Sequence, residues 1–263
     1  MSADGYALAA LAFYAAVAIV VTTIQARHSA ATWQVWILHV IARTYSSLLF
    51  QIRIRQLCPL PSEGGAFLIV NHRSPVDPLL VFAASPRRRD GYRIRPLEFL
   101  TASEYTRIGG FIGFVCKHMQ SIPVDRDGRD MEPAKEALRR LQNGHIVGIF
   151  PEGRINTGDG LLPGNPGVAW LAIKAGMPVI PTFIHGAPQP GGMVKPFYTP
   201  ARCRVVFGEP FDLSEFAGQR LTPDLLGHVT EFLMQRLAET GGLARKPLSV
   251  VTGDDSADTR ESA

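Results

Sequence analysis

Residues Ala66-Phe67-Leu68-Ile69-Val70 run directly into Asn71-His72-Arg73-Ser74-Pro75-Val76-Asp77-Pro78. Five consecutive apolar residues suit a strand covered on both faces, as in a sheet sandwiched between helix layers. The polar, proline-bearing octet then lies at the strand's C-terminal end, where α/β sheets usually bind ligands. On one continuous helix His72 and Asp77 would stand about 140° apart, so they meet only if a turn separates them. Asp77-Pro78 reads as an N-cap followed by the first helical residue. That leaves His72 in the preceding loop, free to approach the Asp77 carboxylate. A carboxylate on one ring nitrogen fixes the tautomer and stabilises the imidazolium, so the other nitrogen can take a proton from a hydroxyl. The plainer alternative is a histidine that only braces the loop.

The chain around this junction alternates strand and helix patterns. Ile146–Phe150, Val179–Ile184 and Arg204–Phe207 read as further strands. Glu132–Gln142 reads as a helix, with Ala134, Ala137, Leu138 and Leu141 on one side and Asn143-Gly144 as its stop. Val168–Ala175, ended by Gly176, and Pro223–Leu237 are two more. The alternation predicts an α/β domain over residues 56–243, a mixed, largely parallel sheet flanked by helices. Residues 244–263 lack periodicity and read as a loose tail.

Ahead of this domain, residues 1–55 read as a membrane-associated helical segment. The 22 residues between Asp4 and Arg27 carry no formal charge. As a helix they extend about 33 Å, enough to cross a hydrocarbon core of roughly 30 Å. A cleaved signal peptide would need a basic start, and Asp4 is the only early charge. Arg27, Arg43, Arg53 and Arg55 follow the segment, which places the bulk of the chain on the cytoplasmic side. Trp33–Phe50 is amphipathic, fitting either the headgroup layer or a face of the domain.

Composition narrows the function. Of 263 residues, 46% are apolar, which supports a sizeable core and excludes a disordered chain. Cys58, Cys116 and Cys203 form no metal or disulfide spacing. The net charge is +4, and without the acidic last eleven residues the body carries +7, from 26 bases against 19 acids. A basic body suits phosphates, anionic membrane lipid or nucleic acid. Nucleic acid is disfavoured because no stacking module accompanies the bases. Arg87, Arg88, Arg89, Arg93 and Arg95 form the densest cluster; a solvated loop and a contact with lipid or donor phosphates are both open readings.

Three more clusters complete the pattern. Phe150-Pro151-Glu152-Gly153-Arg154 follows a strand and offers a cation with a flexible backbone. Ile122-Pro123-Val124-Asp125-Arg126 places another arginine after an apolar run, and Val179-Ile180-Pro181-Thr182-Phe183-Ile184 is a strand interrupted by proline. In this order, and with His72 and Asp77 set as H-x-x-x-x-D, the four blocks resemble the glycerophospholipid acyltransferases. The resemblance covers roughly Val40 to Leu237.

That resemblance implies an O-acyltransferase in phospholipid biosynthesis, held at the membrane. His72, assisted by Asp77, deprotonates an acceptor hydroxyl, which attacks a thioester of acyl-CoA or acyl carrier protein. The implied acceptor is lysophosphatidate and the product phosphatidate. Asn71, Ser74, Arg126, Pro151, Glu152, Gly153 and Arg154 are the implied substrate-binding residues, with no metal and no cofactor. Many relatives continue the third block as F-P-E-G-T-R-S, whereas this chain has Arg154-Ile155-Asn156 after Gly153. Lysines common elsewhere in the family are replaced by residues such as Ala102 and Ser103. These departures leave room for another lysolipid or lipid hydroxyl as acceptor, or for a catalytically silent lipid-binding protein.

Overall fold

The computed structural model describes residues 3–27, 32–88, 91–107, 110–125, 131–189 and 191–243. Arg126, Arg89 and the expected tail at 244–263 lie outside the described residues.

Seven strands form one sheet: β1 (Arg53–Ile54), β2 (Ala66–Val70), β5 (Glu98–Ala102), β6 (Ile122–Val124), β7 (Ile146–Ile149), β8 (Val179–His185) and β9 (Arg204–Phe207). A separate hairpin pairs β3 (Arg87–Arg88) with β4 (Gly91–Tyr92). The sheet order is β1-β9-β8-β2-β7-β5-β6, and every pairing is parallel except β8 with β9. This is the mixed, largely parallel sheet expected. β2 is central, between β7 and β8, and all five of its residues are buried. The chain leaves β2 towards β5 and β6, returns through β7, then crosses to β8. The carboxyl ends of β2 and β7 therefore open beside a change of direction, the usual ligand position in such sheets.

Alternation along β2 divides the core. Ala66, Leu68 and Val70 face α2 (Trp33–Leu49) and α3 (Asp77–Ala84), while Phe67 and Ile69 face α6 (Glu132–Gln142), α7 (Pro166–Ala175) and α8 (Pro223–Thr240). Local chemistry fixes the helix ends. Asn165 accepts from the Gly167 amide at 2.8 Å to cap α7, and Gly176 ends it at φ 59°, a left-handed turn suited to glycine. Thr222 caps α8 by accepting from the Leu225 amide at 3.2 Å.

Besides the two-residue strands β1, β3 and β4, the elements β5 and α5 (Gly110–His118) have no counterpart in the strands and helices expected from sequence. β5 hides its strand character because it opens on a charge. Glu98 is buried, and its carboxylate is held by Arg140 Nη1 at 2.9 Å and His145 Nδ1 at 2.6 Å. The partners lie more than forty residues away, so the local pattern is broken where the tertiary structure repairs it. Between β5 and α5 runs the short helix α4 (Ser103–Arg107).

The N-terminal helix α1 (Ala3–Arg27) stands apart from this body. Its Asp4–Ile24 portion has a mean hydropathy of 2.3 with none of it buried in the protein, and is long and apolar enough to cross a membrane. α2 differs. Val35, Leu38, Ala42 and the following Phe50 enter the core, and β1 pairs with β9. The domain boundary expected at residue 55 therefore falls just after a strand of the sheet.

Candidate active site

The Asn71–Asp77 loop is built by side chains standing in for backbone. Asn71 extends the β2–β8 ladder by one rung: its Nδ2 donates to the Ile184 carbonyl at 3.0 Å and its Oδ1 accepts from the Ile184 amide at 2.7 Å. The residue is fully buried, with both its amide nitrogen and its amide oxygen bonded to the Ile184 backbone. His72 then emerges at the sheet edge with its side chain 17% exposed.

Asp77 lies at the start of α3, but it does not cap that helix as expected from sequence. Val76 occupies the cap position without a side-chain bond. The Asp77 carboxylate turns back instead: Oδ2 accepts from the Arg73 amide at 2.6 Å and the Ser74 amide at 2.8 Å, and meets His72 Nδ1 at 3.0 Å. An oxygen accepting from two amides favours a donor at its third contact, so the geometry suits a proton on Nδ1 and leaves Nε2 free to accept one. Burial pushes the Asp77 carboxyl upward, while the His72 contact and then the Ser74 and Arg73 amides pull it back. Oδ1 of Asp77 and Oγ of Ser74 are buried without a hydrogen-bond partner among the described residues.

The Phe150–Gly160 turn, at the end of neighbouring β7, grips the same histidine from the other side. The Phe150 ring stacks on the His72 ring at 3.9 Å and 16°, and Phe99 stacks behind Phe150 at 5.2 Å. Glu152 is buried, and its Oε1 accepts from the His72 amide at 2.9 Å. Its Oε2 accepts from Asn156 Nδ2 at 2.8 Å and the Leu162 amide at 2.9 Å. The Asn156 amide donates to the His72 carbonyl at 2.7 Å. Both backbone groups of His72 are thus held by this one turn.

The sequence-predicted residues fall into two groups. Asn71, His72, Ser74, Asp77, Pro151 and Glu152 come together, and all except His72 are buried. Gly153, at φ 68°, and Arg154 are exposed on the outer side of the turn, and Arg154 forms no ion pair among the described residues. Arg126 lies outside the described residues, just beyond β6. Sequence reading missed Asn156, Phe150 as a ring support, and Arg73, whose guanidinium donates to the Gly158 carbonyl and ties the two turns together. Asn156 stands where the third block departs from the family pattern, which is the one local sign that it differs. Arg93 and Arg95 lie at the opposite edge of the sheet. Arg95 holds the Pro61 and Gly144 carbonyls at 3.0 and 2.6 Å, and Arg93 lies 3.6 Å from Glu63. No group of three or more His, Cys, Asp or Glu among the described residues is placed to hold a metal.

A histidine held by a buried carboxylate, at the carboxyl edge of a parallel sheet, is an arrangement able to activate a hydroxyl for group transfer. The chain belongs to the acyltransferase family, whose model matches residues 51–185. It is 27% identical over 182 residues to the 1-acyl-sn-glycerol-3-phosphate acyltransferase of Bacillus subtilis (strain 168), covering 68% of this chain and 83% of that protein. It is 23% identical over 207 residues to the Haemophilus influenzae protein of the same name, covering 76% and 81%. The crystal structure of the 1-acyl-sn-glycerophosphate (LPA) acyltransferase PlsC from Thermotoga maritima superposes with a TM-score of 0.60 at 20% identity, covering 81% of each chain. That likeness shows the fold.

Proposed function

We propose that this acyltransferase is bound to the membrane and moves a fatty acyl group from acyl-CoA or acyl carrier protein to the hydroxyl of lysophosphatidate, forming phosphatidate. The His72–Asp77 contact carries the reading. Nε2 takes the acceptor's hydroxyl proton as the oxygen forms a bond to the thioester carbonyl carbon. The tetrahedral adduct collapses with loss of the thiolate, which receives the proton from His72. Asp77 stabilises the imidazolium between the two transfers. Glu152 and Asn156 act as positioning residues, since their polar groups are spent on the His72 backbone and on the turn. Arg154, with Arg126, is assigned to the acceptor's phosphate. The names of the relatives support this acceptor, and the apolar α1 supports attachment to the bilayer, with the domain on the cytoplasmic side.

A second reading keeps the chemistry and changes the acceptor to another lysolipid. It is favoured by the turn after Gly153, where Asn156 is locked inward on Glu152 and Arg154 is the one cation from Gly153 to Gly160. Purified protein in detergent, given labelled acyl-CoA or acyl carrier protein and a panel of lysolipids, separates the two. Preferred acylation of lysophosphatidate supports the first, and preference for a different headgroup replaces it with the second. Transfer to no acceptor from either donor removes both.

A further inference from the structure

The loop between β8 and β9 leaves the sheet at the same edge as His72, since Asn71 is bonded to Ile184 near the end of β8. Its Lys195–Tyr198 turn presents apolar side chains to the outside: Val194 is 70% exposed and Tyr198 66%, with Met193 and Phe197 also exposed. The returning chain is bonded to the end of α2, through the Ala201 amide to the Leu49 carbonyl at 3.1 Å and the Cys203 amide to the Phe50 carbonyl at 2.9 Å. α2 buries one face in the core and turns Trp33, Ile37, Val40, Ile41 and Leu48 outward. A water-facing helix would place charges there, and this stripe has none.

The distribution of acids gives the partner's chemistry. Apart from Asp4 in the first turn of α1, residues 3–62, which include α1 and α2, contain no Asp or Glu, and neither do residues 160–208, which include the whole β8–β9 loop. The loop's own charges are Lys195 and Arg202, both exposed. Apolar and aromatic side chains flanked only by cations fit the boundary between acyl chains and anionic headgroups.

We infer that the β8–β9 loop around Val194 and Phe197 dips into an anionic bilayer beside the outer face of α2, and so sets the His72 edge of the sheet against the lipid. This rests on the reading of the enzyme as membrane-bound and adds a contact separate from α1. Full-length protein with Cys116→Ser, whose remaining cysteines are buried, is labelled with a fluorophore at Val194→Cys, at Val17→Cys in α1, or at Arg220→Cys as an exposed control. Each is reconstituted in phosphatidylcholine vesicles with about 30% phosphatidylglycerol and a lipid carrying a nitroxide high on its acyl chain. The expected result is loss of most fluorescence at 194 and 17, and little loss at 220. Quenching at 17 with 194 no more quenched than 220 overturns the loop contact while leaving the membrane-bound reading intact. Absence of quenching at all three positions overturns both.

Discussion

His72 is fixed at three points: its amide by Glu152, its carbonyl by Asn156, and Nδ1 by Asp77. Only the last was legible in the sequence, because both partners fall within one short segment and a turn between them was the sole way to join them. The Glu152 contact spans 80 residues and depends on β2 and β7 being neighbours, which no local pattern states. The contacts give two expectations. Asp77→Asn preserves the fold, because an amide oxygen can still accept from Arg73 and Ser74, but turnover falls by about 10²–10⁴-fold since imidazolium loses its counter-charge. Steady-state rates with a circular dichroism control check this, and near-normal turnover removes Asp77 from the mechanism. Asn156→Ala keeps the backbone bond to His72 but removes the side-chain bonds that hold Glu152 and the Gly160 carbonyl. Glu152 then loosens its grip on the His72 amide, and kcat falls by about tenfold or more with little change in KM, as a displaced base loses alignment more than it loses substrate. A rise in KM alone would instead make Asn156 a substrate contact.

Elements transmit positioning through packed rings. Gly148 in β7 leaves space for Phe99: a Cβ there would lie 2.5 Å from the ring. Phe99 backs Phe150, which backs His72. Gly148→Ala should therefore keep the sheet but cut activity by about tenfold or more through a shift of under an ångström at the base; unchanged activity would show that the ring stack does not position it. The α2–α3 contact carries a pH dependence. Burial, then the charge of Arg43, lower the His39 imidazole from its ordinary 6.5 to about 4, with a hydrogen bond at the Phe82 backbone opposing them. Between those values the unfolded chain binds a proton that the folded one refuses, so stability falls as pH drops from 6.5 towards 4. Thermal unfolding across that range should show a shallower slope for His39→Phe than for the parent, and equal slopes would contradict the assignment. At this scale β2, β9 and α6 match their sequence-expected limits, because hydrophobic period and breakers agree. β5 does not, because Glu98 is neutralised from distant α6 and β7.

For the whole molecule, the sequence showed an apolar helix followed by an α/β body but could not decide whether α2 belongs to the membrane or to the domain. α2 serves the core with one face and leaves the other apolar and exposed, a division that appears only once α3 is packed against it. Deleting residues 1–25 should therefore move the protein towards the soluble fraction without emptying the membrane fraction. Complete release would make α1 the sole anchor. The account as a whole depends on His72 acting as the base. Its most direct test is the initial rate of acyl transfer from labelled acyl-CoA or acyl carrier protein to lysophosphatidate, comparing the purified parent with His72→Ala of equal fold. The parent should form phosphatidate, and the variant should be slower by about 10²–10⁴-fold. Equal rates in the two proteins would contradict the assignment of His72 as the base.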